Sequence, residues 1–201
     1  MSNTPVILLA LACIAVIAII RAARGAGSTT IYNPRLALLN YAGTIAEPLM
    51  AEDERASRPL FASVVRSAAA VPQCDVLLIY ATLASDGSLN AFGRKLRDII
   101  SSSGASIAVV ALPNSVETCQ RAVRKDASFP RAVANIVMTL DRNGECFSPF
   151  FAGIFRRMHQ GSSMLSAWAQ LAPQHEGAVQ HRRLPSTFLL CERGNVRFVR
   201  R

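Results

Sequence analysis

Histidine is scarce in this chain: three in 201 residues, none of them before His159. A nucleophilic serine or cysteine in the first three quarters of the sequence would therefore need its base from far downstream. His159, His175 and His181 lie apart from one another, and none of the five cysteines is in CxxC spacing, so no metal signature is present. Neither GxGxxG nor GxxxxGK[ST] occurs, which removes nucleotide binding by those routes. No interleaved aromatic and basic motif suited to stacking nucleic-acid bases is present either. No cofactor is expected. The cysteines (Cys13, Cys74, Cys119, Cys146 and Cys191) are odd in number, and Cys74, Cys119 and Cys191 sit in or beside apolar patterns, as buried reduced thiols do. Charge is also sparse, at 17% against 51% hydrophobic residues, which predicts a packed core and one globular domain rather than disorder.

What the sequence does have is an uninterrupted apolar start. "PVILLALACIAVIAII", Pro5 to Ile20, contains no charge and is followed by Arg21 and Arg24. Val6 to Ile20 rises roughly 22 Å as a helix against a hydrocarbon core of roughly 30 Å, so spanning requires the flanking small residues and snorkelling arginines. "MSNTP" lacks the positive charge that opens a secretory signal, so a retained single-pass anchor over residues 1–24 is the leading reading. A cleaved signal and an interfacial helix are the alternatives. All the nearby positive charge follows the apolar run, which places the globular domain in the cytoplasm. Net charge is +9, and the stretch from Arg182 to the C-terminus holds Arg182, Arg183, Arg193, Arg197, Arg200 and Arg201 against one acid, Glu192. This basic edge suits anionic lipid or a partner subunit of a membrane complex, with nucleic acid the less suitable partner.

Beyond a linker at residues 25–34, residues 35–201 alternate strand-like and helix-like patterns. "RLALLNYAG" reads as a first strand, and "AEDERASRPLFASVVRSAAAV" as a helix with Leu60, Val64, Val65 and Ala68 on its apolar face and Glu52, Asp53 and Glu54 at its positive end. "CDVLLIYA" is a central strand covered on both faces. "SDGSLNAFGRKLRDIISSSG" reads as a helix capped by Ser88 and ended by Gly104. "SIAVVAL" is a strand, "PNSVETCQRAVRKD" a helix opened by Asn114 with Glu117 in capping-box spacing, and "AVANIVMTL" a strand before a "DRNG" turn. "CFSPFFAGIFRRMHQGSSMLSAWAQLA" gives two helices broken at Gly161, with the phenylalanines and Trp168 in the core, and "PSTFLLCERGNVRFVRR" reads as a closing hairpin. Strands separated by helices imply βαβ units, hence an α/β fold with a largely parallel central sheet.

In such sheets ligands gather beyond the carboxyl ends of the strands. Two tips stand out: "ATLASDGS", offering Thr82 and Asp86, and "LPNSVE", offering Asn114 and Ser115. Asp-Gly is a common turn dipeptide and Asn or Ser at a helix start is a common cap, so structural roles compete with ligand contact at all four. Cys119 shares the apolar face of its helix with Val116 and Val123, where a thiol stays protonated and inert. His159, in "FRRMHQG", reads as a surface residue at a basic helix end.

The order of these segments resembles the CHAT group of caspase-like cysteine peptidases, over Cys74 to Phe198. "LLIYATLASDGSL" looks like that family's strand ending in a histidine-glycine turn, and "IAVVALPNS" like its strand ending in the nucleophilic cysteine. "RAVANIVMTLD" resembles the following strand, "FFAGIFRRMHQGSSMLSAWAQ" the helix pair with glycine at its break, and "LPSTFLLCERG" the closing strand. The resemblance implies a caspase-like three-layer sandwich. At the family's histidine position stands Leu83 or a neighbour, and at its cysteine position Pro113 or Asn114, so the implied function is that of a pseudoenzyme. "RLALLNYAGTI" and "LLIYATLASDGSLNAF" behind an anchor are also similar to membrane-bound signal peptide peptidases of the Clp/crotonase type. Their Ser-Gly-Gly turn is missing after "VVALPNS", and Lys125 is the one lysine nearby. The expectation is a membrane-anchored, catalytically degenerate domain that binds protein as an accessory subunit. The alternative is a tethered peptidase using Ser115 or Cys119 with His159 or Lys125 as base.

Overall fold

The computed structural model describes residues 18–20, 28–84, 86, 88–90, 93–125, 134–142, 144–172, 184–191 and 195–199. The runs "VLLIY" and "IAVV" are apolar at every position and become the middle of a sheet, β5 (Val76–Tyr80) and β6 (Ile107–Val110), every residue of which is buried. They pair in parallel with each other and with β3 (Arg35–Asn40) and β7 (Asn135–Asp141) on either side. Beyond β3 lies β4 (Ser63–Ser67), also parallel, and beyond β7 lies β8 (Ser186–Cys191), antiparallel. The full order is β1-β8-β7-β6-β5-β3-β4, where β1 (Ala18–Ile20) runs parallel to β8.

Alternate residues of each strand enter two separate cores, as a two-residue pleat requires. Leu36, Leu38, Val76, Leu78, Ile107, Val109 and Val137 face α1 (Glu47–Ser57), α4 (Phe147–His159) and α5 (Met164–Leu171), where Phe147, Phe151 and Phe155 supply much of the buried area. Ala37, Leu39, Leu77, Ile79, Ala108, Val110, Ile136 and Met138 face α2 (Leu96–Ser103) and α3 (Val116–Lys125). The result is a three-layer α/β sandwich with a largely parallel sheet, the architecture the caspase-like resemblance implies. Gly104 ends α2 in the left-handed conformation at φ 67°, and Gly161, at φ 96°, breaks the chain between α4 and α5 as its position suggests.

Four elements depart from the sequence reading. The helix expected across Leu60 to Ala68 is instead α1, ending at Ser57, a short 3-10 turn at Arg58–Leu60, and strand β4. Pro59 cannot donate to a continuing helix, and Val64 and Val65 find a ladder on β3 that outweighs their helical spacing. Glu52, Asp53 and Glu54 consequently sit in the middle of α1 rather than at its start. The helix expected from Ser88 starts at Leu96: Asp86 Oδ1 accepts from the Ser88 N–H (3.0 Å) and hydroxyl (2.6 Å), and antiparallel bridges join Leu83 to Leu89 and Ser88 to Lys95. Gly93, at φ 60°, is also outside the helical region.

The closing hairpin does not form: β9 (Asn195–Val199) leaves the main sheet and pairs in parallel with β2 (Ser28–Tyr32), inside the stretch read as linker. Val196 and Phe198 are buried there against α4 and α5, which a hairpin with β8 would not provide. The anchor assigned to residues 1–24 lies outside the described residues except for Ala18–Ile20, which run as a strand along β8 rather than as the end of a helix. Among the described residues no helix is long and apolar enough to cross a membrane.

Candidate functional site

The parallel strands present their carboxyl ends together, and the segments after β5 and β6 meet the end of β7 at Asn114. Its Oδ1 accepts from the Leu83 N–H at 2.7 Å, its Nδ2 donates to the Leu112 carbonyl at 2.7 Å, and its own N–H donates to the Thr139 carbonyl at 2.8 Å. One buried amide thus ties the segment after β5 to that after β6 and to the last turn of β7. Leu83 or a neighbour, and Pro113 or Asn114, are the positions at which the caspase-like resemblance would place histidine and cysteine. Here the Leu83 N–H donates to the Asn114 side-chain oxygen.

Asn114 was expected to cap α3. Ser115 does so instead: its Oγ accepts from the Thr118 N–H at 3.1 Å and lies 3.0 Å from the Thr118 hydroxyl. Moving the cap by one residue is what turns the Asn114 side chain inward. Thr82 is exposed, its Oγ1 accepting from Asn90 at 2.9 Å, and exposed Asp86 holds the turn at Ser88. Thr82, Asp86 and Ser115 are therefore exposed beyond the carboxyl ends of β5 and β6, and Asn114 is buried.

The residues of the peptidase alternative are not brought together. Cys119 is fully buried in the core under α2 and α3, and burial pushes its thiol up to about 11. His159 is on the other side of the sheet, at the end of α4, where its Nε2 lies 2.6 Å from the Leu60 carbonyl and its ring 5.2 Å from that of Phe198. It is half-buried rather than the surface residue expected, because β9 packs over it. Lys125 closes α3. Of the basic edge, Arg197 is exposed on β9, while Arg182, Arg183, Arg193, Arg200 and Arg201 lie outside the described residues. Among the described residues no group of His, Cys, Asp and Glu is placed to hold a metal ion.

Directly behind the tips is a polar cluster that sequence reasoning missed. Asp53 of α1, 2% exposed, accepts from the Tyr80 hydroxyl at 2.5 Å and from Arg142 Nη2 at 3.2 and 3.3 Å, and also from the Ser148 hydroxyl. Arg142, 6% exposed, adds a bond to the Ala111 carbonyl at 3.0 Å and lays its guanidinium 3.7 Å over the Phe147 ring. Burial, reinforced by the charge of Asp53, holds the Tyr80 phenol well above its ordinary range, so it stays a donor. One carboxylate thereby joins α1, the ends of β5, β6 and β7, and the first turn of α4. The sequence offers no signal for this: Asp53 sits in an acidic run and Arg142 in a turn, both of which read as solvated.

No protein-family model and no curated protein matches the chain. A solved structure similar to it is the crystal structure of the Saccharomyces cerevisiae separase–securin complex, at 10% sequence identity and a TM-score of 0.48, covering 85% of this chain. The chain spans only 13% of the length of the chain it matches there. A likeness of that size assigns no activity and no residue role.

Proposed function

We propose that the protein is a membrane-anchored, non-catalytic α/β domain that binds another protein as an accessory subunit of a membrane complex. The observation that carries this reading is the Asn114 clasp: the two strand tips where a caspase-like peptidase would hold its dyad are fastened to each other by one side-chain amide. Ser115 is committed to capping α3, and Cys119 and His159 lie on opposite sides of the sheet, so among the described residues neither candidate nucleophile meets His159. Thr82, Asp86 and Ser115 then form a polar surface held in place from below, which suits recognition without chemistry. The apolar run from Pro5 to Ile20, whose last three residues pair with β8, and the arginines after it support anchoring with the domain on the cytoplasmic side.

Chemical crosslinking in native membranes, followed by mild detergent extraction, affinity purification and mass spectrometry, tests the reading. A partner recovered in stoichiometric amount, crosslinked at the tips and lost in Asp86→Arg, is the expected result. Recovery of the chain alone, with crosslinks confined to itself, overturns it.

A further inference from the structure

The β2–β9 ribbon stands apart from the main sheet and is amphipathic across its two faces. Inward, Ile31, Val196 and Phe198 are buried, and the Phe198 ring lies 6.0 Å from that of Phe61 and 6.1 Å from that of Phe155. Outward, the parallel register sets Thr30 beside Arg197 and Tyr32 beside Val199, all four exposed. Tyr32 and Val199, at 51% and 39%, are two of the four exposed large hydrophobics among the described residues, and they are register partners.

Three further observations say what faces this surface. First, the charge of the ribbon and of the sequence directly beside it has one sign: Arg197 is the charged residue of β2 and β9, residues 21–27 add Arg21 and Arg24, and residues 200–201 add Arg200 and Arg201, with no acid among them. Second, the apolar run reaches the domain at Ile20, which pairs with Cys191 of β8, and only residues 21–27, at most about 29 Å of extended chain, separate it from β2. Third, the outward pair joins a tyrosine, whose ring and hydroxyl suit the level of lipid headgroups, to an apolar valine and a flanking guanidinium. We infer that the outer face of the β2–β9 ribbon rests on an anionic lipid surface and makes a second contact with the membrane beside the anchor. The inference builds on the proposed membrane attachment and adds an orientation: α4 and α5, which pack under the ribbon, face the bilayer.

The test uses the full chain reconstituted into vesicles of phosphatidylcholine alone or with added phosphatidylserine. A Tyr32→Trp variant is quenched by lipids brominated in the upper acyl chain, with wild type supplying the background from buried Trp168. The expected result is quenching of the new indole in vesicles containing phosphatidylserine, weakened in 0.5 M salt. Arg197→Ala on the same background lowers the equilibrium for contact about fivefold, the factor of about 1 kcal/mol carried by one basic residue near an anionic surface. Quenching no greater than wild type overturns the inference, as would be seen if the ribbon served an acidic protein instead. Equal quenching without phosphatidylserine overturns its anionic part. Carbonate-resistant flotation with phosphatidylcholine vesicles reads the anchor separately: flotation without quenching removes the ribbon contact and keeps the anchor. Flotation only with phosphatidylserine, together with quenching, keeps the ribbon contact and removes the anchor, and failure to float with either composition removes both.

Discussion

Replacing Asp53 by alanine removes the one acceptor on which Tyr80, Arg142 and Ser148 converge. Among the described residues the guanidinium of Arg142, 6% exposed, would keep one hydrogen-bond partner, the Ala111 carbonyl, and its Nε already lacks a hydrogen bond. Breaking a buried ion pair from one side costs about 3–5 kcal/mol, because the surviving charge is stranded. The two hydroxyls lose an acceptor as well, but these losses share one site and do not add. The expected cost is about 4 kcal/mol, a large part of the roughly 5–15 kcal/mol that holds a domain together. For a chain of this size that lowers the unfolding midpoint by about 8–16 °C, measurable by calorimetry or near-ultraviolet circular dichroism of the full chain in detergent. A paired Asp53→Leu and Arg142→Met replacement removes both charges and recovers most of the loss, since well-packed apolar residues of similar volume replace buried pairs with little cost. A midpoint shift under about 2 °C for Asp53→Ala, or single-variant costs that simply sum in the pair, would refute the role given to the cluster.

The clasp at the tips is tested by Asn114→Ala, which leaves the Leu83 N–H without its acceptor and costs about 1–3 kcal/mol, with hydrogen exchange at Leu83 rising in step; unchanged protection there would separate the two tips. The pH dependence follows from the buried thiols, since burial, then the Asp75 charge, pushes Cys74 up to about 12, and burial pushes Cys119 up to about 11. Both thiols ionise more readily in the unfolded chain, near their ordinary value of about 8.5, so the folded state binds more protons above that pH. Their contribution is intact below about pH 8.5 and declines as pH rises towards 11 and 12, and replacing Cys74 by alanine flattens the decline in a series of denaturation midpoints. A slope that survives the replacement of both cysteines points to other groups.

The sandwich was legible where one local signal agreed with the tertiary outcome. β5, β6 and β7 are apolar runs too short for helices, and α4 and α5 are fixed by phenylalanine spacing and the break at Gly161. Val64 and Val65 fit a helix or a strand equally by spacing, and only the open edge of β3 decides between them. The destination of "NVRFV" is invisible locally, because its partner β2 lies more than 160 residues earlier, in a stretch that reads as linker. At the tips, Thr82, Asp86, Asn114 and Ser115 were picked out by position beyond the strands. The division of labour among them was not legible, since it turns on whether Asn114 or Ser115 caps α3.

That one-residue choice connects the local chemistry to the proposed role. With Ser115 as cap, the helix start is satisfied by a hydroxyl, and the Asn114 side-chain amide becomes available to bind the backbone at Leu83 and, within its own segment, at Leu112. A peptidase needs the opposite arrangement at this place, with side chains directed outward and held by partners that leave their reactive atoms accessible. Here the inward direction of Asn114 exchanges reactivity for rigidity. The same trade is repeated one layer down, where Asp53 engages Tyr80, Arg142 and Ser148 rather than a substrate. A surface braced twice from below loses little conformational entropy when a partner binds, and that economy is the physical reason for reading the tips as a docking face.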